Sequence, residues 1–299
     1  MIISPTFSLA LNYVKSNKCA HLFSIFDKTR FMTKNAYVHG YSAREATRLN
    51  DQAETLDNLL HHDTLFNPGD LVLEAGCGVG AQTRIIAPKN PETRFVSVDL
   101  SVESLTSAKK TTDSLQIRNV EYQQADIFKL PFSDATFDGI LVCFVLEHLH
   151  DPLAALRELK RVLKKDGTIM VIEGDHGSTF FYPDSSYAHR AIDCQVQLQK
   201  KHGGNCNIGR ELYPLLSNSG FRNIHVTPRM VYVDASHPRL VEGFIRNTFT
   251  AMIEGVGSEA FRQGIVDEET FNRGIHDLYR TAEADGVFSY TFFKGIATK

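Results

Sequence analysis

The stretch Leu71-Val72-Leu73-Glu74-Ala75-Gly76-Cys77-Gly78-Val79-Gly80-Ala81 decides the fold. Its apolar opening, Leu71 to Leu73, runs straight into glycines, the pattern of a short buried strand entering a tight turn before a helix. Gly76 and Gly78 permit tight turning and the approach of a ligand to bare backbone, where a side chain would block the contact. Asp99 lies about twenty residues beyond them, at the end of the next strand candidate, Phe95 to Val98, and is placed to accept hydrogen bonds from both hydroxyls of a ribose. Any adenosine-binding βαβ unit has these parts. Gly76, Gly78 and Ala81 also satisfy the dinucleotide fingerprint, so nicotinamide binding stays open at this point.

Outward from this core, the chain alternates between strand and helix. On the amino side Ser42 and Glu45 are set as a capping box, and Leu49, Ala53, Leu56 and Leu60 recur at helical spacing until Pro68 and Gly69. On the carboxyl side strand candidates follow at Val120 to Gln123, Gly139 to Phe144 and Thr168 to Ile172, with a helix from Leu153 to Leu163. Such alternation implies a parallel sheet. Beyond it the residues from Gly174 to Asn207 read as irregular, and Leu212, Leu215 and Leu216 mark a further helix. Ile224 to Val233 and Phe288 to Ala297 read as strands, and the segment between them, rich in Ala, Glu and Arg, reads as helices. No internal repeat or low-complexity tract interrupts the order.

With 299 residues the chain is long enough for a full core, and 42% hydrophobic with 22% charged residues is ordinary for a soluble globular protein. No run approaches the ~18 apolar residues of a membrane helix, so no membrane partner is expected. A net charge of −3 provides no overall basic field for phosphate backbones, which argues against a nucleic-acid substrate. Five cysteines without a CxxC pair point to a reducing, cytoplasmic setting rather than a disulfide framework or a zinc ribbon. The tightest His/Cys grouping, His189, Cys194, His202 and Cys206, matches no common zinc spacing, and no metal is expected. Residues 1 to 34 stand apart with a charge of +4 against −7 for the rest, and Met32 offers a second start. Residues 1–35 are therefore expected to be an extension outside the core domain, 36–299. The oligomeric state is not legible.

Three features favour a sulfonium cofactor over a dinucleotide. Glu74, directly before the glycines, suits the ammonium of a methionine moiety better than a pyrophosphate. Ala125-Asp126-Ile127 follows the third strand, where a carboxylate accepts from an adenine amino group and Ile127 packs on the ring. The chain also closes with Gly220-Phe221-Arg222-Asn223-Ile224 and, much later, the strand from Ser289 to Lys294. In order, VLEAGCGVG, VDLS, ADIFKLPF, FDGILVCFVLEHL and LKRVLKKDG resemble the motifs of class I S-adenosylmethionine-dependent methyltransferases, over roughly Ala36 to the end of the sequence. The resemblance implies an α/β Rossmann-like sheet of seven strands, the last antiparallel, with helices on both faces. It also implies roles: Glu74 near the cofactor amino group, Gly76, Gly78 and Gly80 in the cofactor loop, Asp99 and Leu100 at the ribose edge, Asp126 and Ile127 by adenine, and Cys143 near the methionyl end.

The opening Tyr37-Val38-His39-Gly40-Tyr41-Ser42-Ala43-Arg44-Glu45 resembles a narrower small-molecule group that includes fungal thiol methyltransferases acting on gliotoxin-type dithiols. In such enzymes this arm folds over the cofactor, which makes Tyr41 a candidate to cover the methionine moiety. Ligands of open α/β sheets bind outside the carboxyl ends of the strands. His148 after the fourth strand and His176 after the fifth are candidate bases, as is His39 in the arm, with His176 first. Insertions at about 174–207 and 237–286 are expected to cap a pocket for a small molecule. A thiol acceptor ranks first, and hydroxyl and amine acceptors, or a non-catalytic S-adenosylmethionine-binding module, are the alternatives.

Overall fold

The computed structural model describes residues 43–299. The extension expected over residues 1–35, His39, Tyr41 and the Ser42 half of the capping box lie outside them. Helix α1 (Ala43–His61) buries Ala53, Leu56 and Leu60 along one stripe, as its three-and-four spacing requires. At its start Glu45 grips Arg48 through two bonds of 2.8 and 2.6 Å.

Strand β1 (Leu71–Ala75) leads through the glycine turn into α2 (Thr83–Lys89). The units β2 (Arg94–Asp99) with α3 (Val102–Ser114), β3 (Val120–Gln124), and β4 (Phe137–Cys143) with α4 (Pro152–Val162) repeat the alternation. Then come β5 (Leu163–Tyr182), α5 (Ser186–Lys201), α6 (Leu212–Asn218) and β6 (Arg222–Val233). The helical insertion holds the short α7 (Pro238–Leu240), a π-helix (Val241–Thr250), α8 (Ala251–Gly255), α9 (Gly257–Arg262) and α10 (Glu268–Arg280), before β7 (Val287–Thr298). The sheet order is β3-β2-β1-β4-β5-β7-β6, with β7 antiparallel to both neighbours and the other pairs parallel. This is the seven-stranded, mostly parallel sheet expected from the sequence.

One expectation is corrected. The stretch from Gly174 to Asn207 is not irregular: β5 continues to Tyr182, and α5 occupies Ser186–Lys201. The strand is hidden because its ladder with β7 breaks between Asp175 and Phe180, where Ser178 and Thr179 turn their hydroxyls onto the carbonyls of Asp175 and His176. The helix is hidden because two of its buried positions, Gln195 and Gln199, are polar.

Two large apolar clusters among the described residues flank the sheet, beside a smaller third around Val72, Ile86 and Phe95. One joins Leu56 and Leu60 of α1 to Ala188 and Leu198 of α5, Phe244 and Phe249 of the π-helix, Leu278 of α10, and Phe288, Tyr290 and Phe292 of β7. The other packs Leu156 and Leu159 of α4 and Leu212 and Leu216 of α6 onto Leu73, Ile140 and Val171. A polar seam fastens α1 to the sheet. The fully buried Lys294 of β7 donates to Asp63 at 2.7 Å and to Thr64 Oγ1 at 2.8 Å, and Thr64 in turn contacts His61 Nδ1 at 3.1 Å. Burial pushes His61 down from 6.5 to about 4, although its 2.8 Å bond with Gln82 acts the other way.

The native state therefore leaves His61 neutral down to pH about 4, whereas the unfolded chain protonates it near 6.5. Between these values the unfolded state binds more protons, so this group makes stability rise with pH and fall on acidification. Urea midpoints compared at pH 6.5 and 4.5 should show His61→Gln flattening that dependence by up to ~1.4 kcal/mol per pH unit. An unchanged slope would remove His61 from the acid response.

Candidate active site

The glycine turn is shaped by its own packing as much as by any ligand. Gly76, Gly78 and Gly80 all take positive φ (76°, 53° and 78°), the region that a side chain disfavours. A Cβ on Gly76 would lie 2.6 Å from Val145 Cγ2, and one on Gly80 would lie 2.9 Å from Ala108 Cβ in α3. A Cβ on Gly78 would meet nothing within 4 Å. Open space thus lies over Gly78, and Gly76 and Gly80 serve close contact within the protein. The turn is held to β2 by the N–H groups of Gly76 and Cys77, which both donate to the Val98 carbonyl at 2.8 and 2.9 Å.

Two carboxylates flank this turn. Asp99 accepts from Gly78 N at 2.9 Å through one oxygen and from Ser101 N at 2.8 Å through the other, leaving a further lone pair on each. Glu74 is buried at the tip of β1, and its Oε2 accepts from Ser97 Oγ at 2.6 Å and Thr83 Oγ1 at 2.7 Å. Burial raises its pKa, against those two bonds. Leu100, next to Asp99, exposes 57% of its surface. Across the groove Asp126 is exposed, and its Oδ1 accepts from Phe128 N at 2.9 Å. Ile127 beside it is half-buried.

The tips of β4 and β5 form a second, more enclosed group. Burial, and then the charge of Glu173, pushes the Cys143 thiol up. Phe144 follows with φ 58°, a conformation that costs an ordinary side chain ~1 kcal/mol or more. That conformation lets its ring lie 5.5 Å from Phe292. Glu173 is fully buried, and its Oε1 accepts from the N–H groups of Val145 and Leu146 at 3.0 and 2.7 Å. Its Oε2 has no partner among the described residues, and burial followed by the nearby Glu147 raises its pKa well above the usual range.

His148, on the turn Leu146–His148, lies 3.5 Å from Glu147, and burial lowers its pKa. His176 is buried, its Nδ1 3.2 Å from the Cys206 carbonyl and 3.2 Å from Tyr290 OH, while Nε2 has no partner among the described residues. Glu173, Phe144 and Tyr290 escape sequence reasoning. A carboxylate inside an otherwise apolar strand was a usable signal for Glu173, whereas nothing local marks the other two.

Because Gly76 and Gly78 are constrained differently, their substitutions should separate. Gly76→Ala should cost ~2–3 kcal/mol of stability, from strained φ and the Val145 clash, with partial recovery on adding Val145→Ala. Gly78→Ala should cost only ~1 kcal/mol yet block whatever occupies the space above it. Calorimetric unfolding of the three variants is the check, and equal losses for both glycines would defeat the distinction.

Residues 73–171 match the family described as "Methyltransferase domain". Among curated relatives, an uncharacterized 37.1 kDa protein from a Streptomyces fradiae transposon is 34% identical over 195 residues, covering 63% of this chain and 54% of that protein. An uncharacterized methyltransferase of Schizosaccharomyces pombe is 38% identical over 152 residues, covering 48% of this chain and 53% of that one. The chain thus spans about half the length of these relatives. Phosphoethanolamine N-methyltransferase 2 of Haemonchus contortus, solved with phosphomonomethylethanolamine and S-adenosylhomocysteine, superposes with a TM-score of 0.51 at 16% identity over 82% of this chain and 52% of that one. At that identity the likeness concerns fold. The family match covers residues 73–171, and the seven-stranded sheet around them has the Rossmann-like fold of the methyltransferase structure on which it superposes.

Proposed function

We propose that this chain is an S-adenosylmethionine-dependent methyltransferase acting on a small molecule. The observation that carries the reading is the open space over Gly78, flanked by Asp99 and the tip of β1, inside a segment that matches a methyltransferase domain. The residues present fit the cofactor. Asp99 keeps a lone pair on each oxygen for the ribose hydroxyls, and the exposed Leu100 and half-buried Ile127 offer apolar surface for adenine beside Asp126. Glu74 places a carboxyl group, held by Ser97 and Thr83, where a cationic methionine moiety would end, with Cys143 beyond it on β4. Gly76 and Gly80 shape the loop from behind, and Tyr41 belongs to the arm that would cover it.

When bound, the cofactor supplies a methyl group on positively charged sulfur, so the leaving group is already activated. The protein's task is to align a nucleophile and exclude water. The helix Ser186–Lys201 and the insertion 237–286 are the cap in this reading, and a thiol is the first acceptor class because of the opening arm. A hydroxyl is the second reading. Burial and nearby carboxylates push up both protein thiols at this end of the sheet, Cys143 and Cys206. A substrate thiol would feel the same surroundings, so either acceptor would arrive with its proton.

Calorimetry with S-adenosylmethionine and S-adenosylhomocysteine tests the site. Asp99→Ala should remove charge-assisted hydrogen bonds worth roughly 1.5–3 kcal/mol each and weaken both ligands at least tenfold. Unaltered affinity rejects the ribose role of Asp99, and absence of binding by the native protein rejects the function.

A further inference from the structure

We propose that the imine nitrogen of His176, Nε2, is the general base that takes the proton of the methyl acceptor, and that the acceptor is a neutral X–H compound, hydroxyl or thiol, with an apolar aromatic body. The inference rests on the methyltransferase reading above and adds to it where the proton goes.

The contact with Cys206 points to one tautomer of His176. Its Nδ1 lies 3.2 Å from the Cys206 carbonyl, and a carbonyl oxygen only accepts, so in this proposal Nδ1 carries the proton. Tyr290 OH, 3.2 Å from the same nitrogen, is then left to accept from it or to bond elsewhere. Nε2 is therefore a lone pair, and it is buried with no partner among the described residues. A backbone carbonyl that fixes one ring nitrogen so that the other is presented as a base is the orienting arrangement of a catalytic histidine. Burial keeps the ring neutral by lowering its pKa, which preserves the lone pair. Among the charges that face it, Glu147 of the β4 turn and Asp175 of β5 favour the imidazolium once formed, and Arg48 of α1 opposes it.

The surroundings say what kind of acceptor fits. The His176 ring lies 5.9 Å from Phe249 and 5.6 Å from Tyr290, and Phe292 stands 4.7 Å beyond Tyr290 with Phe144 behind it. Phe249 belongs to the π-helix, a rare form that recurs at functional sites. In the step, a lone pair on X attacks the methyl carbon of the sulfonium donor and the carbon–sulfur bond breaks, its electron pair returning to sulfur. The X–H proton passes to Nε2, and the imidazolium later releases it to water.

His176→Asn tests this, since its side-chain amide still reaches toward the Cys206 carbonyl but offers no base; His176→Gln is the second variant should the first fold poorly. Each is assayed with a phenol, a benzyl-type thiol that keeps its S–H at the assay pH, and an electron-poor thiophenol already ionised at that pH. The expected result is a loss in kcat/KM of about a hundredfold or more for the protonated acceptors and less than about threefold for the ionised one. Affinity for S-adenosylhomocysteine should be unchanged. Whichever protonated arm the native protein turns over tells hydroxyl from thiol. A loss equal across all three acceptors, or none, overturns the role. Independently of turnover, nitrogen NMR of 15N-histidine-labelled protein should show the His176 Nδ1 protonated and Nε2 bare, and the reverse tautomer also overturns it. Failure to bind the cofactor at all would instead overturn the methyltransferase reading.

Discussion

The clasp on Glu74 is the interaction around which the half with the glycine turn is organised. One buried oxygen collects hydroxyls from Ser97 in β2 and Thr83 at the start of α2, so three consecutive elements share a single acceptor. A carboxylate is costly to bury, and these hydroxyls offset part of that cost. The same tie fixes the height at which the glycine turn leaves β1. From there Gly78 N meets Asp99 and Gly76 comes against Val145, so loop, acid and β4 tip fall into place together.

That half of the molecule is legible in the sequence because its determinants are local. Leu71 to Ala81 and Asp99 lie within a single βαβ unit, and apolar runs between glycines announce strands whose register then follows. The fold class needs little more than the order of those runs. The enclosed group at β4 and β5 is different. His176 depends on the carbonyl of Cys206, 30 residues away, and on Tyr290, 114 residues away, and neither separation leaves a mark in a local pattern. Its candidacy as a base is readable from a histidine after a strand, but its tautomer and its aromatic walls are not. The continuation of β5 and the helix Ser186–Lys201 were obscured for a related reason. Polar residues at buried positions answer to partners such as Glu147, which Gln199 contacts at 2.9 Å, instead of following the apolar periodicity.

The two groups differ in how they treat polar atoms. Beside the open space at Gly78, each oxygen of Asp99 takes one backbone N–H and keeps a further lone pair. Around Glu173 and His176 each side chain spends one atom on the backbone and keeps the other in reserve: Oε1 on Val145 and Leu146, Nδ1 on Cys206. Buried polar atoms without partners are uncommon in folded proteins, because each forfeits its hydration. Two of them on one strand, β5, concentrate that cost at the carboxyl edge of the parallel part of the sheet, where the fold class places its chemistry.

The buried Lys294 carries a consequence for the order in which the chain is made. It sits on β7, which follows every other element, yet it holds Leu60, Asp63 and Thr64 at the end of α1, the first. β7 also inserts between β5 and β6, so neither of those strands has its final neighbour until it arrives. During synthesis the strands β1 to β4, with the glycine turn, can pair while β7 is still inside the ribosome. The helix that leads into them can meet the start of α2 through His61 and Gln82 but lacks its Lys294 contacts until the last strand emerges, so a nascent chain acquires its glycine turn well before the sheet around it is complete.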